Sequence, residues 1–321
     1  MFEEVTTMKK PELLVTPQSL EHIKALLEAG ADAFVIGEQQ FGLRLAGEFS
    51  VDEVEEATKL IHAAGKKVYV AVNALFHNEK IDALADYLKE MQRIGVDRLI
   101  FGDPAVLIIR REQGVTIPLH WNPETTATNW FTANYWGKRG ATRAVLAREL
   151  SLDEVLEIKE NAELEIEVQV HGMTCMFQSK RPLLGHYFLY QDKVMEIENR
   201  KENRKENRNM FLHDDERNNK YPIYEDVNGT HIFSPNDMCV IDELGELFEG
   251  GIDALKIEGV LQTPEYVVTV TEAYRKAIDA YFDESEEAYE EIKDDLFAKI
   301  EEIQPAIRPL DTGFIFKETV Y

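Results

Sequence analysis

Short apolar runs alternate along this chain with longer stretches whose apolar residues recur every three or four positions. The runs hold four or five residues, mainly Val, Ile, Leu and Phe. Several follow a glycine, as in "GADAFVIGE" (30–38), "GVDRLIFGD" (95–103), "GATRAVLARE" (140–149) and "GIDALKIEG" (251–259). Continuous apolar runs of this length suit strands of a parallel sheet buried on both faces. The glycine ahead of each suits the C-terminal cap of a preceding helix. Runs at 12–15, 32–36, 67–72, 98–101, 117–120, 143–146, 164–170 and 253–257 give eight strands.

Helical patterns fill the intervals. One runs over 19–30 and opens on Ser19, a residue suited to an N-cap; another covers 79–95. Ser50 with Glu53 and Ser151 with Glu154 have capping-box spacing and open helices over 50–65 and 151–162. Pro264 occupies a first-turn position of a helix over 263–282. Eight βα units predict an α/β fold, a closed (β/α)8 TIM-type barrel. An open doubly wound sheet is the alternative, and the absence of G-x-G-x-x-G after the first strand counts against it.

The seventh unit departs from the rhythm. More than sixty residues separate its strand from a helix expected near 236–250, so 172–235 reads as a long insertion after the seventh strand. Within it lies "ENRKENRKENR" (198–208), a repeat without apolar anchors that suits a solvated helix or disordered loop. Such insertions often cover a barrel's mouth. The expected organisation is a barrel over 1–282, with an acidic helix and an apolar tail over 283–321 packed against it.

Composition narrows the function. The net charge of −25 over 321 residues makes a surface that repels nucleic acid unless a local basic patch or a second protein holds it. Two cysteines, Cys175 and Cys239, cannot build a disulfide framework, and free thiols suit a reducing cytoplasm. No run reaches the ~20 apolar residues of a membrane helix. The opening "MFEEVTTMKKPELLV" lacks a signal peptide's apolar stretch, and the residues before Met8 read as a dispensable extension.

In such a barrel the chemistry sits at the C-terminal ends of the strands. The residues there are Thr16, Glu38, Asn73, Asp103, His120, Arg148 with Glu149, His171 and Glu258, and Arg44 lies on the loop after the second strand. Arginine binds planar carboxylates or phosphates through paired hydrogen bonds. Arg44 and Arg148, with Asn73, Glu38 and Glu258, therefore form the expected binding set for a small carboxylate or phosphate. His120, His171 and Glu149 are the proton-transfer candidates. The plainer reading makes Arg148 and Glu149 a structural ion pair and His120 a near-core side chain. In "HWNPETTATNWFTANYWGKRG" (120–140), Trp130, Tyr135 and Trp136 are expected to pack a helix onto the barrel rather than stack a base.

Cys175, in "HGMTCMFQSKRP", is open to three readings: a nucleophile with His171, a metal or cluster ligand, or a small buried side chain. No C-x-x-C, H-E-x-x-H or G-x-S-x-G is present. Several stretches add to this: "GADAFVIGEQQFGLRLAGEF", "VYVAVNALFHN", "NYWGKRGATRAVLARELS", "EIEVQVHGMTCMFQSKRPLLG", "SPNDMCVIDEL" and "DTGFIFKETVY". On these the chain resembles the peptidase U32 family, in particular its branch of smaller subunits from bacterial prephenate-dependent tRNA uridine-hydroxylation pairs. Glu167, Gly172 and Cys175 match the family signature, while Pro182 stands at its second cysteine and Lys180 at its second glycine. Of the four cysteines that resemble a cluster cradle in relatives, Cys175 and Cys239 match the first and last.

The resemblance implies a component that forms 5-hydroxyuridine at the wobble position of tRNA, with prephenate bound at an arginine-lined mouth. It implies no cofactor in this chain alone, and a homologous partner with more cysteines that supplies an iron–sulfur cluster and most of the tRNA contact. Cys175 and Cys239 are then remnant cluster positions, Cys175 being mainly structural. A cysteine-type peptidase and a non-catalytic scaffold for a cysteine-complete partner are the competing readings.

Overall fold

The structure, a computed structural model, describes residues 9–191 and 210–317. Strands β1 (Glu12–Val15), β2 (Ala33–Ile36), β3 (Lys67–Val72), β4 (Arg98–Phe101), β5 (Leu119–Trp121) and β6 (Ala141–Val145) pair in order, all parallel. β7 (Glu165–Ser179) continues the series from β6. The insertion contributes β8 (Phe211–Asp214), β9 (Asn219–Asp226) and β10 (Gly229–Cys239). Then β11 (Ala254–Ile257) pairs with both β7 and β1, and closes an eight-stranded parallel (β/α)8 barrel.

The apolar runs are continuous because both faces of each strand are covered. In β3, Val68, Val70 and Val72 join the core between barrel and helices, while Tyr69 and Ala71 point into the barrel with Leu14, Val35 and Ile100. Alternate side chains thus meet two different apolar environments. The helices start where their caps predict. Ser50 and Ser151 form complete capping boxes with Glu53 and Glu154, opening α2 (Val51–Ala63) and α6 (Leu152–Asn161) after α1 (Leu20–Glu28), capped by Ser19. Asp103 is also a cap: its carboxylate accepts from Ala105 N at the start of the helix Pro104–Glu112.

Two regions differ from expectation. β7 does not stop near 170. It runs on to Ser179 and pairs antiparallel with β10, which pairs with β9, so much of the insertion extends the sheet beyond the rim. Because β10 continues to Cys239, the helix expected over 236–250 shrinks to Leu244–Glu249. Pro235 and two register shifts hide β10 from a reading by alternation. The repeat at 198–208 lies outside the described residues.

On the helix Trp130–Gly137, Trp136 stacks on Trp121 with centroids 5.7 Å apart and packs the helix to the barrel. Trp130 and Tyr135 are instead partly exposed at the surface. After the helix Pro264–Asp279, Ser285 caps the acidic helix Glu286–Ile303, and Ile315 is buried with its carbonyl accepting from Leu152 N at the start of α6.

A candidate anion site at the barrel mouth

Three loops meet above the strand ends. The loop after β2 carries Arg44, that after β5 carries Glu124, and that after β6 carries Arg148. Arg44 Nη2 donates to Glu124 Oε1 at 2.6 Å and Arg148 Nη2 to Oε2 at 2.6 Å, so one carboxylate bridges two guanidinium groups. Asn73 steadies the arrangement: its Nδ2 donates to Glu124 Oε1 at 3.3 Å and its Oδ1 accepts from Leu43 N at 2.9 Å. Opposite stands a second pair, Lys256 Nζ to Glu258 Oε2 at 3.0 Å, with Thr16 Oγ1 donating to Glu258 Oε1 at 3.2 Å. These groups line a cleft of about 570 Å³, counting the part open to solvent.

The electrostatics follow from burial and pairing. Burial alone would raise the Glu124 carboxyl, but Arg44 and then Arg148 outweigh it and hold the group well below the usual carboxylate range. Burial likewise disfavours the Arg44 cation, but Glu124, with smaller contributions from Cys175, Tyr224 and Glu258, more than restores it. Three cations (Arg44, Arg148 and Lys256) face two carboxylates (Glu124 and Glu258), so the mouth carries an excess positive charge in a chain of −25.

Backbone strain concentrates here too. Arg44 at φ 51° and Glu124 at φ 68° both occupy the left-handed region, which costs a non-glycine residue about 1–3 kcal/mol. Gly172 has φ 99°, and a Cβ there would stand 2.2 Å from the Glu258 carbonyl oxygen. The signature glycine therefore lets β7 pass close beside the strand end that carries Glu258.

Of the residues singled out from the sequence, the structure brings Arg44, Asn73, Arg148, Glu258, Thr16 and Cys175 together around this cleft. It does not bring His120, His171, Glu149 or Glu38 there. His120 lies inside the barrel, 1% exposed, edge-on to Tyr69. Burial first, then Arg143, Arg98 and Lys67, keep its imidazole neutral. His171 points outward to the helical layer, where its Nε2 pairs with Tyr266 Oη at 2.8 Å, and burial pushes its pKa down to about 3. Glu149 is exposed and outside the cleft's lining. Glu38 serves through its carbonyl, which accepts from Phe41 N and Gly42 N, while burial and Glu48 raise its carboxyl.

Glu167, the signature glutamate, is also buried away from the cleft. Its Oε2 accepts from Arg143 Nη1 at 3.3 Å, in a cluster where Arg143 also meets Glu12 at 2.9 Å and Glu165 at 2.8 Å. The residues missed from the sequence are Glu124 and Lys256. Glu124 was hidden by register: a fifth strand at 117–120 makes His120 its last residue, whereas β5 is Leu119–Trp121 and the mouth begins at Asn122, whose Oδ1 accepts from Glu124 N. Lys256 lies inside β11, where a charge interrupts an apolar run.

The cysteines do not form a hydrolytic pair or a cluster cradle. Burial pushes the Cys175 thiol up, against the opposing pull of Arg44, and among the described residues no histidine lines the cleft beside it. Cys239 sits in the core below Tyr274 Oη, 3.8 Å away, with its thiol raised by burial to about 12. One thiol faces the mouth and the other the helical layer. Among the described residues no three His, Cys, Asp or Glu side chains converge as a metal would require. The residues present therefore do not fit an iron–sulfur cluster.

Known proteins bear on this arrangement. The model of peptidase family U32 matches residues 18–320. The chain is 60% identical over 314 residues to tRNA hydroxylation protein P2 of Bacillus subtilis, covering 98% of this chain and 100% of that protein. It is 36% identical over 275 residues to tRNA hydroxylation protein P1 of the same organism, covering 85% of this chain and 64% of that one. Against the 23S rRNA 5-hydroxycytidine C2501 synthase of Escherichia coli the identity is 27%, covering 85% of this chain and 40% of that enzyme.

Proposed function

We propose that this chain, which belongs to peptidase family U32, is a subunit of a cytoplasmic tRNA hydroxylation system that forms 5-hydroxyuridine at the wobble position. On this reading its barrel mouth binds a prephenate-like dicarboxylate. The observation that carries the proposal is the convergence of Arg44 and Arg148 on one carboxylate, at 2.6 Å each, in a chain 60% identical to a tRNA hydroxylation protein.

The roles follow from the chemistry of the groups. Arg44 and Arg148 supply planar donors for a ligand carboxylate. Asn73 fixes the loop that carries Arg44, and Lys256 with Glu258 orients the ligand from the opposite wall. With no neutral imidazole at the mouth, this chain binds and orients rather than shuttling protons through histidine. A homologous subunit with more cysteines holds the cluster. The −25 charge makes that subunit the main holder of tRNA.

Mass spectrometry of tRNA nucleosides from a strain lacking this chain and its paralogues tests the proposal. The expected result is loss of 5-hydroxyuridine derivatives, restored by a plasmid copy. Unchanged levels contradict it.

A further inference from the structure

We infer that Glu124 is an internal carboxylate that occupies the anion site until a dianionic ligand displaces it, and so sets the site's preference for ligands with two carboxylates. The inference rests on the reading of the mouth as a carboxylate site and adds a residue that governs which carboxylates enter.

The geometry is that of a ligand already in place. Glu124 presents one oxygen to each guanidinium, as a bound carboxylate would. The side chain is reachable, with 23% of its surface exposed, whereas Arg44 is 8% exposed.

Charge decides what can replace it. With Glu124 seated, three cations face two carboxylates, and a dicarboxylate added on top would leave four negative charges against three positive. With Glu124 swung out, Glu258 and the two ligand carboxylates balance Arg44, Arg148 and Lys256. A monocarboxylate would leave one cation unmatched in a partly buried site, which is costly.

The backbone makes the exchange feasible. Arg44 and Glu124 both hold left-handed torsions, which their mutual contact helps maintain, and release of the contact lets the Glu124 loop relax. Asn122 Oδ1 accepts from Glu124 N and anchors the backbone at the strand end, so the exchange needs only the Glu124 side chain to swing.

Calorimetric titration of the full chain with prephenate, the dicarboxylate of the functional reading, tests this. The proteins compared are wild type, Glu124→Gln, Glu124→Asn and Arg148→Ala. Asparagine tolerates the left-handed conformation, so Glu124→Asn serves if the glutamine variant folds poorly. The inference expects both Glu124 variants to bind prephenate at least about tenfold tighter than wild type, since a competing carboxylate is removed, and Arg148→Ala to lose binding. Equal or weaker binding by the Glu124 variants, with wild-type binding that Arg148→Ala abolishes, overturns this inference and leaves the carboxylate site standing. No binding by any of the proteins overturns both.

Discussion

Arg44 Nη2 and Glu124 Oε1 meet at 2.6 Å across the barrel mouth, and the two residues hold φ values of 51° and 68°. A salt bridge thus joins two loops that are each strained at the residue making the contact. The strain is separable from the charge. In Arg44→Ala and Arg44→Gly the ion pair is lost equally, but only glycine relieves the left-handed torsion. Chemical denaturation should find Arg44→Gly more stable than Arg44→Ala by about 1 kcal/mol. Equal stabilities would mean that the torsion at Arg44 carries no strain.

Buried neutral histidines make stability fall in mild acid. Burial lowers His171 from 6.5 to about 3 and His22 to about 4, and lowers His120 well below its ordinary value. Between the folded and unfolded values the unfolded chain binds the extra protons, so stability is full above about pH 6.5 and declines as pH falls. Each group contributes of order 1.4 kcal/mol per pH unit within its window. Burial raises the carboxyls of Glu167 and Asp237, which opposes the trend, so the histidine share is read as the difference in slope between wild type and a histidine variant over the same pH range. His171→Phe should lessen that slope by about one proton in urea denaturation series. An unaltered slope would place the titration elsewhere.

The thiols should be sluggish. Burial keeps Cys175 protonated at neutral pH and holds Cys239 in the core. Iodoacetamide labelling of the native chain at pH 7 should run about tenfold or more slower than for a cysteine peptide, because thiolate is the reacting form. Rapid, stoichiometric modification of Cys175 would revive a nucleophile.

Much of the barrel was legible because each strand is covered on both faces. Runs such as "VYVAV" are apolar throughout, and capping residues such as Ser50 and Ser151 mark the next helix. The mouth was legible where the first polar residues after a run are also the first beyond the strand, as with Asn73, or lie on the loop that follows, as with Arg44. It was illegible where local pattern and register part. His120 reads as a strand end but lies inside β5, and Glu124 takes the place expected for it. His171 reads as the first residue past a strand, yet β7 continues through it and turns it toward Tyr266. That continuation depends on pairing with β10, some sixty residues away, which no local window contains.

We propose that the arginine-lined mouth of this chain, and not merely its presence beside a partner, supports tRNA hydroxylation. The most direct measurement is complementation of the deletion strain with wild type or Arg44→Ala/Arg148→Ala at matched protein abundance, read by tRNA nucleoside mass spectrometry. Wild type should restore 5-hydroxyuridine derivatives, and the double variant should reach about a tenth of that level or less, as expected when paired charge-assisted contacts to a ligand are lost. Full restoration by the double variant would contradict the account and make this chain a scaffold.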